Sequence, residues 1–593
     1  MYGWCSTMTL LNKSIRYYVD FDQWGINAFN LNPIETTKGF NEALIYASEN
    51  NFPIVEIPKG NFIIDSVNTL NQRNPEIGGG IKIPSNMELL LDPEAVFQVN
   101  PNGYQGYSCF YIGLAENVII RGGRIIGDRY QHDYSLIDTN RKTHEWGFGI
   151  HVHGSKNVLI ENVQISDCIG DNIWIAAHGM MNYPGMVYTP SKSVTVRKCE
   201  LKRGRRNNLA TNGCEGLLVE DCDIEEAGGD TIGPQLGIDL EGYGENGRKY
   251  DHPYELTISD CRFRKNGRGS VTAHTSGKVS IKDNYCDNVI SYGYSTDVSI
   301  KGNKIINEGE SKEYGIDSVG FSSTETSNRI QITDNNIQGF KIGMMIRGKG
   351  VSIDNNTVKN ASNCAIATHM AEDVSISNNR IQDSDCIQIQ VRNSSDIKVC
   401  NNKGKGTTST YAIKVMDSND VTFINNKFSN LYGGLYCERS QSIRIKQNDF
   451  LLSGKGYGIY WDKDSKVFLT RNEIFEPRNV AIMGAADMYN IRISDNQIYN
   501  CKAIIAIHLI GGSEHMVRGN EIMFNRDSDQ GYGIYLNGTK KVRLIRNDVQ
   551  GIGSRILSHP FATFNASSTT LIHNTYDSGT PRLALDDTVI DYK

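Results

Sequence analysis

No apolar stretch of the chain approaches the roughly 18 residues that a membrane-spanning helix needs, so membrane insertion is not expected. Basic runs are missing as well. A net charge of −6 over 593 residues leaves no electrostatic footprint for nucleic acid. The opening MYGWCSTMTLLNKSIRYY lacks the basic, apolar and small-residue order of a secretory leader. The 13 cysteines include no Cys-x-x-Cys pair, which argues against zinc. These absences point to free thiols and to synthesis in a reducing cytoplasm. Long segments of 3.6 period and coiled-coil heptads are absent too, which removes helical arrays. Proline is scarce, 14 residues against 58 glycines, which suits many short turns around a narrow core.

What is present is a repeat. Phrases such as DVSIKGN (297–303), DVSISNN (373–379), DVTFINN (420–426) and NIRISDN (490–496) return thirteen times, beginning at 278 and ending with the start at 568, at a mean spacing of about 24 residues. A fixed period of this size marks a solenoid. Within each phrase apolar and polar residues alternate, as at Val298/Ile300 and Ile491/Ile493, the period of a half-buried strand. An apolar residue follows two positions after the closing Asn, and a second short strand (YAIKV at 411–415, GIYW at 458–461) precedes the next phrase. Two or three strands per coil with no helix between them predict an all-β fold, a single-stranded right-handed parallel β-helix.

The closing Asn recurs at 303, 335, 356, 379, 402, 426, 448, 472, 496, 520 and 547. Stacked at about 4.8 Å, inward Asn side chains can bond the coils above and below, and Asn tolerates the left-handed backbone of a bend. Cys199, Cys222 and Cys261 take the same place in earlier phrases and read as buried fillers of one column. No chemistry is assigned to either set.

Four segments are expected. Residues 1–35 form an attachment or linker segment. Residues 36–116 hold a capping helix, with Thr37 as N-cap and Phe40, Ala43, Leu44 and Ala47 on its apolar face, followed by the first coils. Residues 117–579 are the regular β-helix, and 580–593 a tail. The phrases PKGNF, GGGIKIPSNMELLLDPEAVF, RGGRIIGD and SKNVLIENVQISDCIGDNIWI resemble the pectate-lyase-like right-handed β-helix proteins. More narrowly, they look like the tail-spike and neck-appendage branch of bacteriophages that infect Gram-positive bacteria. INAFNLNPIETT (26–37) stands where that family usually carries Gly-Asp-Gly-x-x-Asp-Asp, and the Asp-Asp and His patterns of polygalacturonases are absent. The resemblance implies a homotrimer in a virion tail, made without a signal peptide, that binds or cleaves a bacterial surface glycan or teichoic acid. A secreted protein is the alternative location.

Function in a solenoid gathers where coils carry insertions. The five earlier phrases start at 117, 157, 193, 216 and 255, and three of these four intervals are long. The extra residues lie at 128–147, 178–192 and 233–254 and are expected to wall a cleft. Fourteen positions after the phrase starts fall Asp171, Asn207, Asp230 and Gly269. In register, Asp171 and Asp230 would stand about 10 Å apart at the backbone, near the carboxyl spacing of an inverting glycosidase. Glu145 at the lip, and Asp239 and Glu241 in GIDLEG, are further candidate acids. Arg206 and Asn207 lie between the acids and suit anionic groups. On the next strand His151 and His153 should face outward, with Trp174 on the same face and His274 in the column of His153, as groups that bind sugar. A second outward column, Lys414, Tyr436, Tyr460 and Tyr535, is expected to meet a neighbouring subunit.

The expected function is therefore a glycan-binding and depolymerising protein acting by hydrolysis, with no cofactor. The alternatives are a binding-only adhesin of the same fold and a polysaccharide lyase or epimerase. For a lyase, Ca²⁺ would join the site.

Overall fold

A computed structural model describes residues 15–29, 31–67, 80–135, 143–179, 187–229, 232–245, 248–309, 312–319, 327–463, 465–485, 488–525, 531–551, 558–584 and 586–590. The chain divides into two compact units, residues 1–305 and 306–593.

The first unit opens with the strand Arg16–Tyr18, which pairs in parallel with Ile54–Ile57, so the linker expected at 1–35 already contributes to the first coil. The capping helix runs Pro33–Glu49 and begins earlier than the sequence suggests. Its N-cap is Asn32 in the left-handed region, with proline at the start of the first turn. Thr37 lies inside the helix. Its hydroxyl donates to the Pro33 carbonyl at 2.7 Å and accepts from the Asp65 amide at 2.9 Å. Gly39 lets the helix approach the chain, since a Cβ there would sit 2.2 Å from the Trp24 carbonyl. Phe40, Ala43, Leu44 and Ala47 are fully buried, and Phe40, Phe62, Phe97 and Phe110 continue that core with centroid steps of 5.0, 5.1 and 4.9 Å. The helix thus covers the apolar end that an open solenoid would expose.

Beyond it each coil has three strands. One coil is Trp146–His153, Lys156–Glu161 and Gln164–Ser166, and the next is Ile173–Ala176, Ser191–Arg197 and Glu200–Lys202. The coil strands pair in parallel with their counterparts one coil away, giving inward columns such as Val158–Val194–Leu217–Leu256–Val279–Val298. The second unit repeats this plan, with Ile330–Val351–Val374–Ile397–Val421 as one inward column. In places the third strand of one coil runs on into the first of the next, as in Lys403–Met416 and Lys427–Glu438.

The Asn column stacks as expected. From Asn335 through Asn547 each side-chain amide donates to the carboxamide oxygen of the next, at 2.8 to 3.0 Å. The left-handed backbone belongs to the residue before it: Asn355, Asn378, Asn401 and Asn425 have φ of 54–56°, while the stacked Asn does not. In the first unit Cys199, Cys222 and Cys261 fill the equivalent column, which passes to Asn at 284, and every described cysteine is a free thiol. Two ladders escape a reading of the sequence. Serines line another bend, where Ser394 and Ser418 each give a backbone amide to the next serine hydroxyl at 3.2 Å. Asn172, Asn208 and Asn266 form a short ladder at 2.8 and 3.1 Å in the first unit.

Candidate functional site

The site grows from the first strands of four successive coils of the first unit. Asp171 and Asn207 occupy one column, set by the pairing Ile173–Leu209 and by the Asn172–Asn208 ladder beside them. Asp171 is wholly buried. Its Oδ1 accepts from the Asn207 amide and its Oδ2 from Arg206 Nη1, both at 2.9 Å. Asn207 Oδ1 accepts in turn from the Leu236 amide at 2.9 Å. Leu236, paired with Gly269, therefore fills the place in the column that counting assigned to Asp230. The insertion between Ala227 and Leu236 adds residues ahead of the strand, and a fixed count cannot absorb them. Asp230 itself lies outside the described residues.

The same shift relocates two other acids. Leu236–Glu241 is a coil strand paired with Leu209–Asn212 and Gly269–His274, not part of an insertion. Ile238 and Leu240 point inward, and Asp239 and Glu241 project from the outer face. The extra residues then divide into a segment before this strand and a hairpin after it, Tyr243–Glu245 against Arg248–Asp251. Of the other two insertions, 128–135 and 143–147 are described, as are 178–179 and 187–192. Buried His132 bridges Asp128 at 2.8 Å and His144 at 2.9 Å, and Arg205 binds the carbonyls of Thr143 and His144 at 2.9 Å. This network pins the loop that carries Glu145.

Arg206 is the hub. Besides Asp171, its guanidinium meets Glu145 at 3.6 Å and Glu241 at 3.7 Å. Burial pulls its pKa down, but Asp171, Asp239, Glu241 and Glu145 outweigh that and hold it above the ordinary arginine value. Burial raises Asp171 to about 6 despite the Arg206 contact. Asp239, only 4% exposed, is held well above the usual carboxylate range, first by burial and then by the charge of Glu241. Glu241 is the open member, its side chain 43% exposed. A cation, a buried acid pushed toward its protonated form and an accessible acid therefore share one patch. Among the described residues no three His, Cys, Asp or Glu side chains converge as metal ligands would.

The histidines and the tryptophan lie on the outer side of the coil, as alternation requires, but they are not surface groups. His151 and His153 are buried. Trp174 sits beside His151 in register, stacks on it at 4.6 Å and packs on Phe148 at the same distance. Its indole donates to Asn212 Oδ1 at 3.0 Å. His151 Nδ1 lies 3.3 Å from the Ser108 hydroxyl and His153 Nδ1 3.0 Å from the Tyr111 hydroxyl. Aromatic neighbours one coil away cover the face that the sequence suggested was open. Burial pushes both imidazoles down, His153 to about 4, and keeps them neutral. His274 does share a column with His153: Ala176 pairs with both His153 and Asn212, and Glu241 pairs with His274. It is partly accessible. Trp146, packed edge-on to Trp174 at 5.8 Å, keeps part of its ring accessible at the lip. The sequence places it at the end of the 128–147 insertion, where no periodicity assigns a face, whereas it opens the coil strand Trp146–His153.

In the second unit Lys414, Tyr436 and Tyr460 pair in one outward column, and Met483 and His508 carry it on to Tyr535. Tyr436 and Tyr460 stack on each other at 5.0 Å, so part of each ring face is already used.

Comparison with known proteins agrees with this architecture. The family model described as "Right handed beta helix region" matches residues 77–305, 319–456, 388–549 and 433–580. The SPbeta prophage-derived protein YorA of Bacillus subtilis (strain 168) is 97% identical over 586 residues, covering 99% of this chain and all of that one. YclG of the same organism is 32% identical over 524 residues, 83% of this chain and 85% of that one. Among solved structures, the pre-mature gene product 12 of bacteriophage phi29 is 12% identical with a TM-score of 0.49, over 94% of this chain and 72% of that one. With the family model covering most of its length, and three-stranded coils paired in parallel throughout, the chain belongs to the right-handed β-helix family.

Proposed function

We propose that this is a phage-derived protein that binds a bacterial surface glycan and shortens it by hydrolysis at the Arg206 patch. The single observation that carries the reading is that a buried acid, Asp239, whose pKa burial pushes up, and an accessible acid, Glu241, lie around one buried arginine. Glycoside hydrolysis needs one group to protonate the leaving oxygen and another to act as base or nucleophile. Asp239 takes the first role and Glu241 the second. Arg206 orients anionic or hydroxyl groups of the glycan, Trp146 offers a stacking face, and Glu145 and His274 border the patch. Asp171, inaccessible and with both oxygens engaged, is a positioning residue that holds Arg206. His151, His153 and Trp174 form the floor that keeps the patch dry. Near identity to a prophage-derived protein supports a virion tail as the site of action, and the assembly expected there is a homotrimer.

Binding without cleavage is the second reading. It is favoured by the depth of Asp239, since an acid 4% exposed needs the patch to open before it reaches a glycosidic oxygen. One experiment separates the two. Purified protein is incubated with cell-wall polysaccharide and teichoic acid from a Bacillus host, and chain length and bound protein are followed together. Hydrolysis predicts shortened chains without a new unsaturated chromophore, a 10²- to 10³-fold slower rate in Glu241→Gln, and loss of activity as pH rises and Asp239 gives up its proton. Unchanged cleavage in both Glu241→Gln and Asp239→Asn would remove the catalytic assignment. Retained binding with no cleavage by the wild type would establish the adhesin.

A further inference from the structure

Five coils of the second unit carry opposite charges on two faces that share one bend. On the strands before the Asn ladder, one outward column reads Arg444, Phe468, Arg492, Met516, Arg543, and the column beside it Lys446, Thr470, Ser494, Arg518, Ile545. These two columns hold five cations and no carboxylate. On the strands after the ladder, in the same five coils, the outward column reads Asp449, Glu473, Gln497, Glu521, Asp548, with four acids and no cation. Beside the acids run Leu451, Phe475 and Tyr499, then Met523, with Leu451 42% and Met523 36% exposed and Phe475 stacked on Tyr499 at 5.3 Å.

Few of these charges meet an opposite charge within the chain, although Arg492 donates to the Ile491 and Glu514 carbonyls, Arg444 lies over the Phe468 ring, and Glu521 and Asp548 accept from Gln497, Gln550 and Thr575. None of the five cations forms an ion pair with a described residue, and of the four acids only Asp449 does, with Lys427 at 2.7 Å. Ion pairing within the chain therefore does not account for the segregation. A random mixture of surface charges would serve solubility as well, and on the acidic face Asp449 and Glu473, and Glu521 and Asp548, repel from adjacent coils about 4.8 Å apart.

We infer that these two faces are the two halves of a self-assembly surface, on which the cationic face of one copy docks against the acidic face of the next, with the solenoids parallel. An anionic ligand would explain the first face and leave the second unexplained, whereas a second copy of this chain explains both. In parallel register Arg444 and Lys446 meet Asp449, Arg518 meets Glu521 and Arg543 meets Asp548, while Arg492 lies one coil from Glu473. Phe468 and Met516, interleaved with the arginines, face the apolar row beside the acids, the mixture of arginine, methionine and aromatic residues that interfaces favour. Because the two surfaces differ, the contact is heterologous and closes into a ring when the rotation allows. The inference rests on the expectation of a homo-oligomer and is independent of the glycan chemistry.

The test measures the mass of the full-length chain in solution by analytical ultracentrifugation in about 50 mM and about 1 M NaCl, conditions that span strong and weak screening. The wild type should assemble at low salt and shift toward monomer at high salt. One triple variant reverses the cations (Arg444→Glu, Arg492→Glu, Arg543→Glu) and another the acids (Asp449→Lys, Glu473→Lys, Glu521→Lys). Each alone should be monomeric where the wild type assembles, and an equimolar mixture of the two should associate, which misfolded chains would not do. Wild-type assembly in both variants would overturn this surface while leaving oligomerisation intact. A monomeric wild type at every salt concentration would overturn both.

Discussion

The coils between residues 106 and 274 and those between 327 and 576 follow one plan and use it differently. In several later coils, such as those of Ile459–Asp462, Ile505–Ile510 and Tyr532–Asn537, the outward residues of the first strand stay accessible, so the outer side is ordinary surface there. In the earlier coils nearly every residue of Trp146–His153 and all of Ile173–Ala176 are buried, and the outer side has become a second core of Phe148, Trp174, Ala176 and Ala210. Ionisable groups follow the same division: the arginine-centred network of partly and fully buried acids lies in the earlier coils, while the later ones keep long rows of charge on accessible faces. A repeat that buries what it could leave in water incurs desolvation at every such group, and that cost marks where the fold serves something besides itself.

The comparison breaks most sharply at arginine. Arg206→Ala leaves Asp171 buried without its cation and should cost about 3–5 kcal/mol, read as a lower urea midpoint or as loss of the first unit's transition. Lys427→Ala removes the exposed partner of Asp449 and should cost no more than about 1 kcal/mol. Equal effects would mean that the buried hub is no more structural than a surface pair.

The solenoid was legible because its inward columns and Asn bends obey a count, and a count survives wherever the period does. The candidate site was legible only in part, for the opposite reason. Asp171 and Asn207 fall in one column because their coils keep the spacing, but the segment ahead of Leu236 breaks it, so the place that counting gives to Asp230 belongs to Leu236. The alternation Ile238–Asp239–Leu240–Glu241 was a strand signature within a stretch assigned to an insertion. The exposure expected for His151, His153 and Trp174 failed because alternation tells which side a residue takes and not what lies over it. Aromatic neighbours one coil away decide that.

A middling effect is expected at the bend. Asn448→Ala removes the acceptor for the backbone and side-chain amides of Asn426 and the donor to Phe423 and Asn472. Several buried groups lose partners, so the loss should be about 2–4 kcal/mol. Cys222→Ala at the equivalent bend of the earlier coils removes a small filler and should cost about 1 kcal/mol. Paired denaturant titrations measure both.

The smallest effect is one of pH. His153 titrates at about 4 when folded and near 6.5 when unfolded, so between those values the unfolded chain binds more protons. Its contribution is intact above about 6.5 and is lost as pH falls through about 4. His153→Gln should flatten that part of the acid limb of a thermal-stability profile. Asp171, raised to about 6, acts in the other sense: its contribution is complete below the unfolded value of 3.8 and lost as pH rises through about 6. Asp171→Asn should therefore lessen the decline between those two values, and an unchanged slope in either variant would mean that its group does not titrate as its burial implies.

The Asn row has a direction. From Asn379 through Asn426 each NH₂ donates to the carboxamide oxygen of the coil on its C-terminal side and to a backbone carbonyl of the coil before, while its oxygen accepts from the coil before. No single amide can then flip without setting donor against donor and oxygen against oxygen. The row is therefore a one-way thread with interchangeable links. Removing one whole turn would bring an identical oxygen to an identical amine and let the thread close, whereas a single misfit residue would cut it.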